Sequence, residues 1–298
     1  MLSYYEQLND GRYSFLQRML LITVLVVAAM IGINLILAGL ASMYGLTEDS
    51  SQEDLIQWLG HYGFKILNGI VHLVSFLIPS LLFLFIVYQK RGKFLLVKKV
   101  DDWVIALLSV SWLFFSYPLI AYATQLNAMI SFPEWLTTVD EMALDQIKSI
   151  LNSTGPLDFI LTIIVMAVLP AIGEELLFRG IIQREIELKT RKPHLSIIIT
   201  SVVFSLFHMQ VVSFMPKLII GLILGYLFYW TRNLWIPIVV HFFNNALLVS
   251  LQMTAPEDSL DSSPAETEMV PMASLILSSI LCALIVHSLN KRLMKKPT

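Results

Sequence analysis

Glu174 and Glu175 stand side by side in the stretch Pro170 to Gly180, PAIGEELLFRG, where an apolar membrane helix should still be running. At 1.5 Å per residue, Phe159 to Gly173 cover only ~23 Å of a roughly 30 Å hydrocarbon layer, so both carboxylates fall inside the bilayer. Ionisable groups are costly there and usually face a bundle interior or a water-filled cavity, which marks a functional site. Arg179 follows Glu175 at i+4 on the same helix face and can pair with it. Glu174 points about 100° away and can act on something outside its own helix.

Two further constellations lie downstream. Phe204 to His208 (FSLFH) places a histidine in a run that is apolar from Leu195 onward, and His241 to Asn245 (HFFNN) sets two polar side chains at i and i+4 on one face. Asn244, at i+3, could take the role of Asn245, and spacing does not decide between them. Counted from the turn near Lys189 to His194, Glu174 and His208 both lie roughly 21 Å deep, so adjacent antiparallel helices bring them to one level. Three helices offering such groups at compatible depth predict a shared polar cavity. Blander explanations stand beside each: a charged helix end that snorkels, a hydrogen-bonded packing histidine, and an inter-helix hydrogen bond. His72 reads as a packing residue, and Gly221 with Gly225 as a small-xxx-small pair that lets helices converge.

The elements that must position these groups are membrane helices. Of 298 residues, 56% are hydrophobic and 14% charged, with mean hydropathy +0.73, far too apolar for an ordinary soluble domain. The fold class is therefore all-α, a polytopic membrane bundle of about eight helices near 16–44, 64–88, 103–123, 158–188, 195–212, 215–230, 234–251 and 271–289. The fourth becomes amphipathic after Gly173 and emerges into water near its end, and later spans are short or interrupted by Pro216 and Pro237. Leu20 to Leu40 is too long for the apolar core of a signal peptide and reads as a retained span. Basic connections (Lys90, Arg91, Lys93, Lys98, Lys99; Arg184, Lys189, Arg191, Lys192; Arg232; Lys291, Arg292, Lys295, Lys296) alternate with acidic ones (Glu48, Asp49, Glu53, Asp54; Glu134, Asp140, Glu141, Asp145; Glu257 to Glu268). That alternation predicts a multi-pass cell-membrane protein with both termini cytoplasmic.

Residues 133–152 carry apolar positions at helical spacing, from Trp135 to Ile150, and predict a surface helix; 254–269 reads as an acidic flexible loop. No repeat or boundary suggests a second domain, so 1–298 reads as one membrane domain, with 155–250 as its core. The net charge of -2 and the lack of a basic stripe exclude a nucleic-acid partner. Cys282, the one cysteine, sits in an apolar run as a small hydrophobe.

Glu174-Glu175-Leu-Leu-Phe-Arg179, Phe204-Ser-Leu-Phe-His208 and His241-Phe-Phe-Asn244-Asn245 resemble EExxxR, FxxxH and HxxxN, the three motifs of the CPBP (Abi) intramembrane proteases, which include the type II CAAX prenyl endopeptidases. The likeness covers about 155–250. It implies an endopeptidase acting on a membrane-associated peptide, either prenylated CAAX-type or a bacteriocin or leader peptide, in a lipid bilayer. It also implies Glu174, His208, His241 and Asn245 as catalytic residues with Glu175 and Arg179 in support. The family is described both as glutamate-dependent and as metalloprotease-like. One alternative therefore has Glu174, His208 and His241 holding zinc, although no HExxH occurs. A non-catalytic immunity or scaffold protein and a proton-coupled transporter are the competing classes; the paired repeats of a transporter are not found.

Overall fold

The computed structural model describes residues 12–46, 52–88, 94–100, 102–151, 155–254 and 269–294. All regular structure among them is helical: α1 (Phe15–Met43), α2 (Gln52–His72), α3 (Ile78–Val87), α4 (Trp103–Ala128), α5 (Glu134–Leu151), α6 (Pro156–Ile163), α7 (Leu169–Glu175), α8 (Arg184–Thr190), α9 (Pro193–Phe207), α10 (Phe214–Thr231), α11 (Trp235–Thr254) and α12 (Met272–Met294). Seven helices among the described residues are long and apolar enough to cross a membrane, and α9 is a shorter apolar helix. This is the all-α polytopic bundle expected. The acidic segment 255–268, together with Glu48, Asp49, Lys90, Arg91, Lys93, Lys295 and Lys296, lies outside the described residues.

The chain divides into two compact units, Met1–Leu96 with Gln146–Arg191, and Val97–Asp145 with Lys192–Thr298. In the first unit, α1 opens on a capping box in which Ser14 Oγ accepts from Gln17 N at 3.3 Å and Gln17 Oε1 accepts from Ser14 N at 2.8 Å. Beyond Arg18 the helix exposes Leu20, Val24, Val27, Ile31 and Leu35, the apolar surface a span turns to lipid. α2 bends at Gly60, whose φ of 70° is tolerated only because it lacks a Cβ.

Two long rods, Glu53–Val87 with its bend at Gly60 and Pro156–Thr190, are locally widened. π-helical turns occupy Leu73–Leu77 and Ile164–Val168, each just before a proline, Pro79 and Pro170. A proline lacks its N–H and its ring collides with the carbonyl four residues back, here Ser75 and Met166; widening the turn moves that carbonyl aside without breaking the rod. Ser80 Oγ donates to the nearby Phe76 carbonyl at 2.7 Å, a side-chain compensation that bilayer interiors demand.

Polar locks hold these rods together. Lys65 Nζ donates to Asp158 Oδ1 at 2.7 Å and to Thr162 Oγ1 at 2.9 Å, with all three side chains fully buried. Asp158 stands in the first turn of α6, at the start of the rod, and is fully buried there by its cation. A paired carboxylate can enter the span. The chain turns amphipathic after Gly173 as expected, yet its polar face is not open: through Glu187 every residue is buried except the half-buried Ile182, and exposure begins at Lys189. Arg18 Nε donates to Glu185 Oε2 at 2.9 Å, and the Tyr88 hydroxyl donates to Glu185 Oε1. Burial, and then the Glu185 carboxylate, push the Tyr88 phenol well above its ordinary range, so it keeps the proton it donates.

In the second unit, Asp102 caps α4 by accepting from Val104 N at 3.1 Å, and Arg292 of α12 grips the same carboxylate through Nε at 2.6 Å and Nη2 at 3.0 Å. Between these ends Ile105, Leu113 and Ile120 pack with Leu224, Leu227, Val240 and Leu289. Pro216 and Pro237 do not interrupt spans. They sit in the first turns of α10 and α11, where a missing N–H leaves no bond unmade. The helix expected near 133–152 is α5, which exposes Trp135 and Met142.

Candidate active site

The sequence-predicted residues fall into two sets, one in each unit. In the first unit, Glu174 and Glu175 end α7, and Arg179 lies in the π-helical segment Leu176–Gln183 that follows directly. Arg179 Nη1 donates to Glu175 Oε1 at 2.7 Å with both side chains fully buried. Glu174 is 7% exposed. π-Helical turns inside longer helices recur at functional sites. Gly173 stands at a close approach: a Cβ there would lie 3.1 Å from His72 Nε2 and 3.1 Å from Phe76 Cβ. His72, which the sequence offers as a packing residue, stacks on Phe76 at 4.5 Å and abuts the backbone next to Glu174.

In the second unit, α9 ends at Phe207, so His208 occupies the helix C-cap. Its Nδ1 lies 2.8 Å from the Phe204 carbonyl. A carbonyl only accepts, so Nδ1 carries the hydrogen, and in the neutral ring Nε2 holds the lone pair that can accept a proton or bind a metal. Phe204, 2% exposed, stands edge-on to both histidines, with ring centroids 4.9 Å from His208 and 6.0 Å from His241. The phenylalanine of FxxxH is therefore the shared spacer against which two histidines from different helices rest. His241 is buried at 4% exposure. Asn244 is buried as well: its Oδ1 accepts from Tyr117 at 3.1 Å and its Nδ2 donates to Asn245 Oδ1 at 3.0 Å.

The turn after His208 is clamped by residues that the sequence did not single out. Asn127 Nδ2 donates to the carbonyls of Val211 (2.8 Å) and Val212 (3.0 Å), while its Oδ1 accepts from Met215 N (3.2 Å). Asp140 Oδ2 accepts from the N–H groups of Val211 and Val212, both at 3.2 Å. The only trace of this in the sequence is an asparagine at the end of a span and an acid in an amphipathic helix, both ordinary in those places.

Gly221 packs α10 on α9 behind this set, since an added Cβ would meet Ser201 Cβ at 3.1 Å, Ser201 Cα at 3.2 Å and Phe204 Cδ1 at 3.4 Å. Gly221→Val should cost about 1–3 kcal/mol by overpacking and displace Phe204, read as a lower melting temperature in nanodiscs. An unchanged melt would show that α9 and α10 have room to spare. Among the described residues no three His, Cys, Asp or Glu side chains gather as a metal site. Glu174 of the first unit and His208 and His241 of the second are the residues that could hold zinc, and no step is routed through a metal.

Comparison with known proteins gives a likeness at the level of a family. Residues 156–247 match the family model described as Rce1-like, type II CAAX prenyl endopeptidase. The chain is 34% identical over 89 residues to the uncharacterized protein YpbD of Bacillus subtilis (strain 168), covering 28% of this chain and 42% of that protein. It is 27% identical over 123 residues to "Putative membrane peptidase YdiL" of the same organism, covering 40% and 50%. The chain spans about half the length of the curated relatives it matches. No solved structure matches.

Proposed function

We propose, from the likeness of residues 156–247 to the Rce1-like prenyl endopeptidases, that this multi-pass membrane protein hydrolyses a peptide bond in a membrane-associated peptide, and, from the alternation of basic and acidic connections, that both termini are cytoplasmic. The observation that carries the reading is the buried carboxylate pair in a membrane-spanning helix. Arg179 pairs with Glu175, and the neighbouring Glu174 is the carboxylate to which this reading gives the reaction. In this scheme Glu174 takes a proton as water oxygen attacks the peptide carbonyl carbon. The C–N bond of the tetrahedral adduct then breaks, and the same proton passes to the departing amine. His208 positions the water by accepting a hydrogen bond from its other O–H at Nε2, which the Nδ1–H bond leaves as the acceptor. His241 and the Asn245 amide donate to the oxyanion, each well-placed donor contributing about 3 to 4 kcal/mol.

The test uses purified protein in nanodiscs with a pooled library of farnesylated CAAX-type peptides, leader-type peptides and unanchored controls, read by mass spectrometry. Cleavage of membrane-anchored peptides is expected. If no peptide is cut, the enzyme reading is lost and a scaffold takes its place. The glutamate mechanism further predicts that a chelator leaves the rate unchanged; loss of cleavage that added zinc restores would transfer water activation to a metal.

A further inference from the structure

We infer that Tyr117 is a positioning residue that aims the Asn245 amide at the reacting carbonyl through Asn244. This rests on the endopeptidase reading above and adds to it a residue outside the three motifs. The Tyr117 hydroxyl and Asn244 Oδ1 are 3.1 Å apart. Both atoms are oxygens and a carbonyl only accepts, so the phenol donates. That bond points the Asn244 amide nitrogen the other way, where it donates to Asn245 Oδ1 at 3.0 Å. With its oxygen engaged by Asn244, Asn245 presents its N–H₂ edge on the opposite side, which is the edge an oxyanion needs. The reversed chain would turn the Asn245 oxygen outward and repel developing negative charge. A phenol is a better donor than acceptor, so it selects the productive sense.

Local sequence supports a dedicated role. Tyr117 immediately precedes Pro118 inside α4, where the proline removes a helical hydrogen bond. Asn244 is 4% exposed, so the relay runs through a buried side chain that water cannot easily replace. The competing account is an inter-helix hydrogen bond that only holds α4 to α11.

The experiment measures kcat and KM, on the best-cleaved library peptide, for wild type, Tyr117→Phe, Asn245→Ala and the double variant in nanodiscs, with Glu174→Gln as control. Tyr117→Phe is expected to lower kcat about tenfold with KM unchanged and to cost nothing further in the Asn245→Ala background, because it acts through that amide. Wild-type kcat in Tyr117→Phe beside an impaired Asn245→Ala would overturn the positioning role and leave the enzyme reading standing. Equal losses in both backgrounds would likewise reduce Tyr117 to helix glue. Full activity of Glu174→Gln would instead remove the enzyme reading itself. Should Tyr117→Phe fail to accumulate, Asn244→Ala breaks the same relay one link later and is judged by the same outcomes.

Discussion

Glu174→Gln should accumulate in membranes at wild-type level and melt at the wild-type temperature, yet lose about a thousandfold in peptide cleavage. Glutamine keeps the volume and one carbonyl oxygen of the carboxylate, so packing at this 7%-exposed position survives. It has no basicity with which to deprotonate water. Removing the formal charge beside the Glu175–Arg179 pair also leaves that pair intact. Cleavage within about tenfold of wild type would mean that another group activates the water, and would move the assignment away from Glu174.

The ion pair beside that carboxylate was legible in the sequence because its two members are local. Four residues separate Glu175 from Arg179, and a helical spacing argument suffices to pair them. The same reasoning fails wherever the partner is remote. Lys65 and Asp158 are 93 positions apart, Tyr117 and Asn244 are 127 apart, and nothing in the periodicity of either segment announces the other. Asp158 begins a span, and only its distant cation explains why it is fully buried there. Phe204 illustrates a different limit. Its motif position is visible, but its job as a spacer between His208 and His241 depends on how α9 and α11 pack. The helix count was legible because twenty apolar residues have few other uses; the widened turns were not, since Pro79 and Pro170 fit a kink equally well.

The second large effect is expected at Lys65. Lys65→Met strands the fully buried Asp158 without the cation that sits 2.7 Å from it, and breaking a buried pair from one side costs about 3–5 kcal/mol. Thermal unfolding in nanodiscs should show a large drop. Adding Asp158→Leu should recover most of it, because two apolar groups of similar volume bury without a desolvation penalty. If the double variant is no better than Lys65→Met, the pair is not what holds α2 to α6, and the bond to Thr162 carries the lock.

A widened turn is in effect one residue spliced into a rod that never breaks, and everything beyond it is rotated by about 100° relative to a regular helix. The segment Leu176–Gln183 lies between the Glu174–Glu175 pair and the Arg184–Glu185 pair. Its length therefore gears one end of the rod to the other: with the splice in place, Glu185 meets Arg18 and Tyr88. Trimming a single residue there would swing Glu185 a quarter-turn and more away from both, whichever residue was removed. Between Leu176 and Gln183 the number of residues is consequently a stricter requirement than the identity of any one of them.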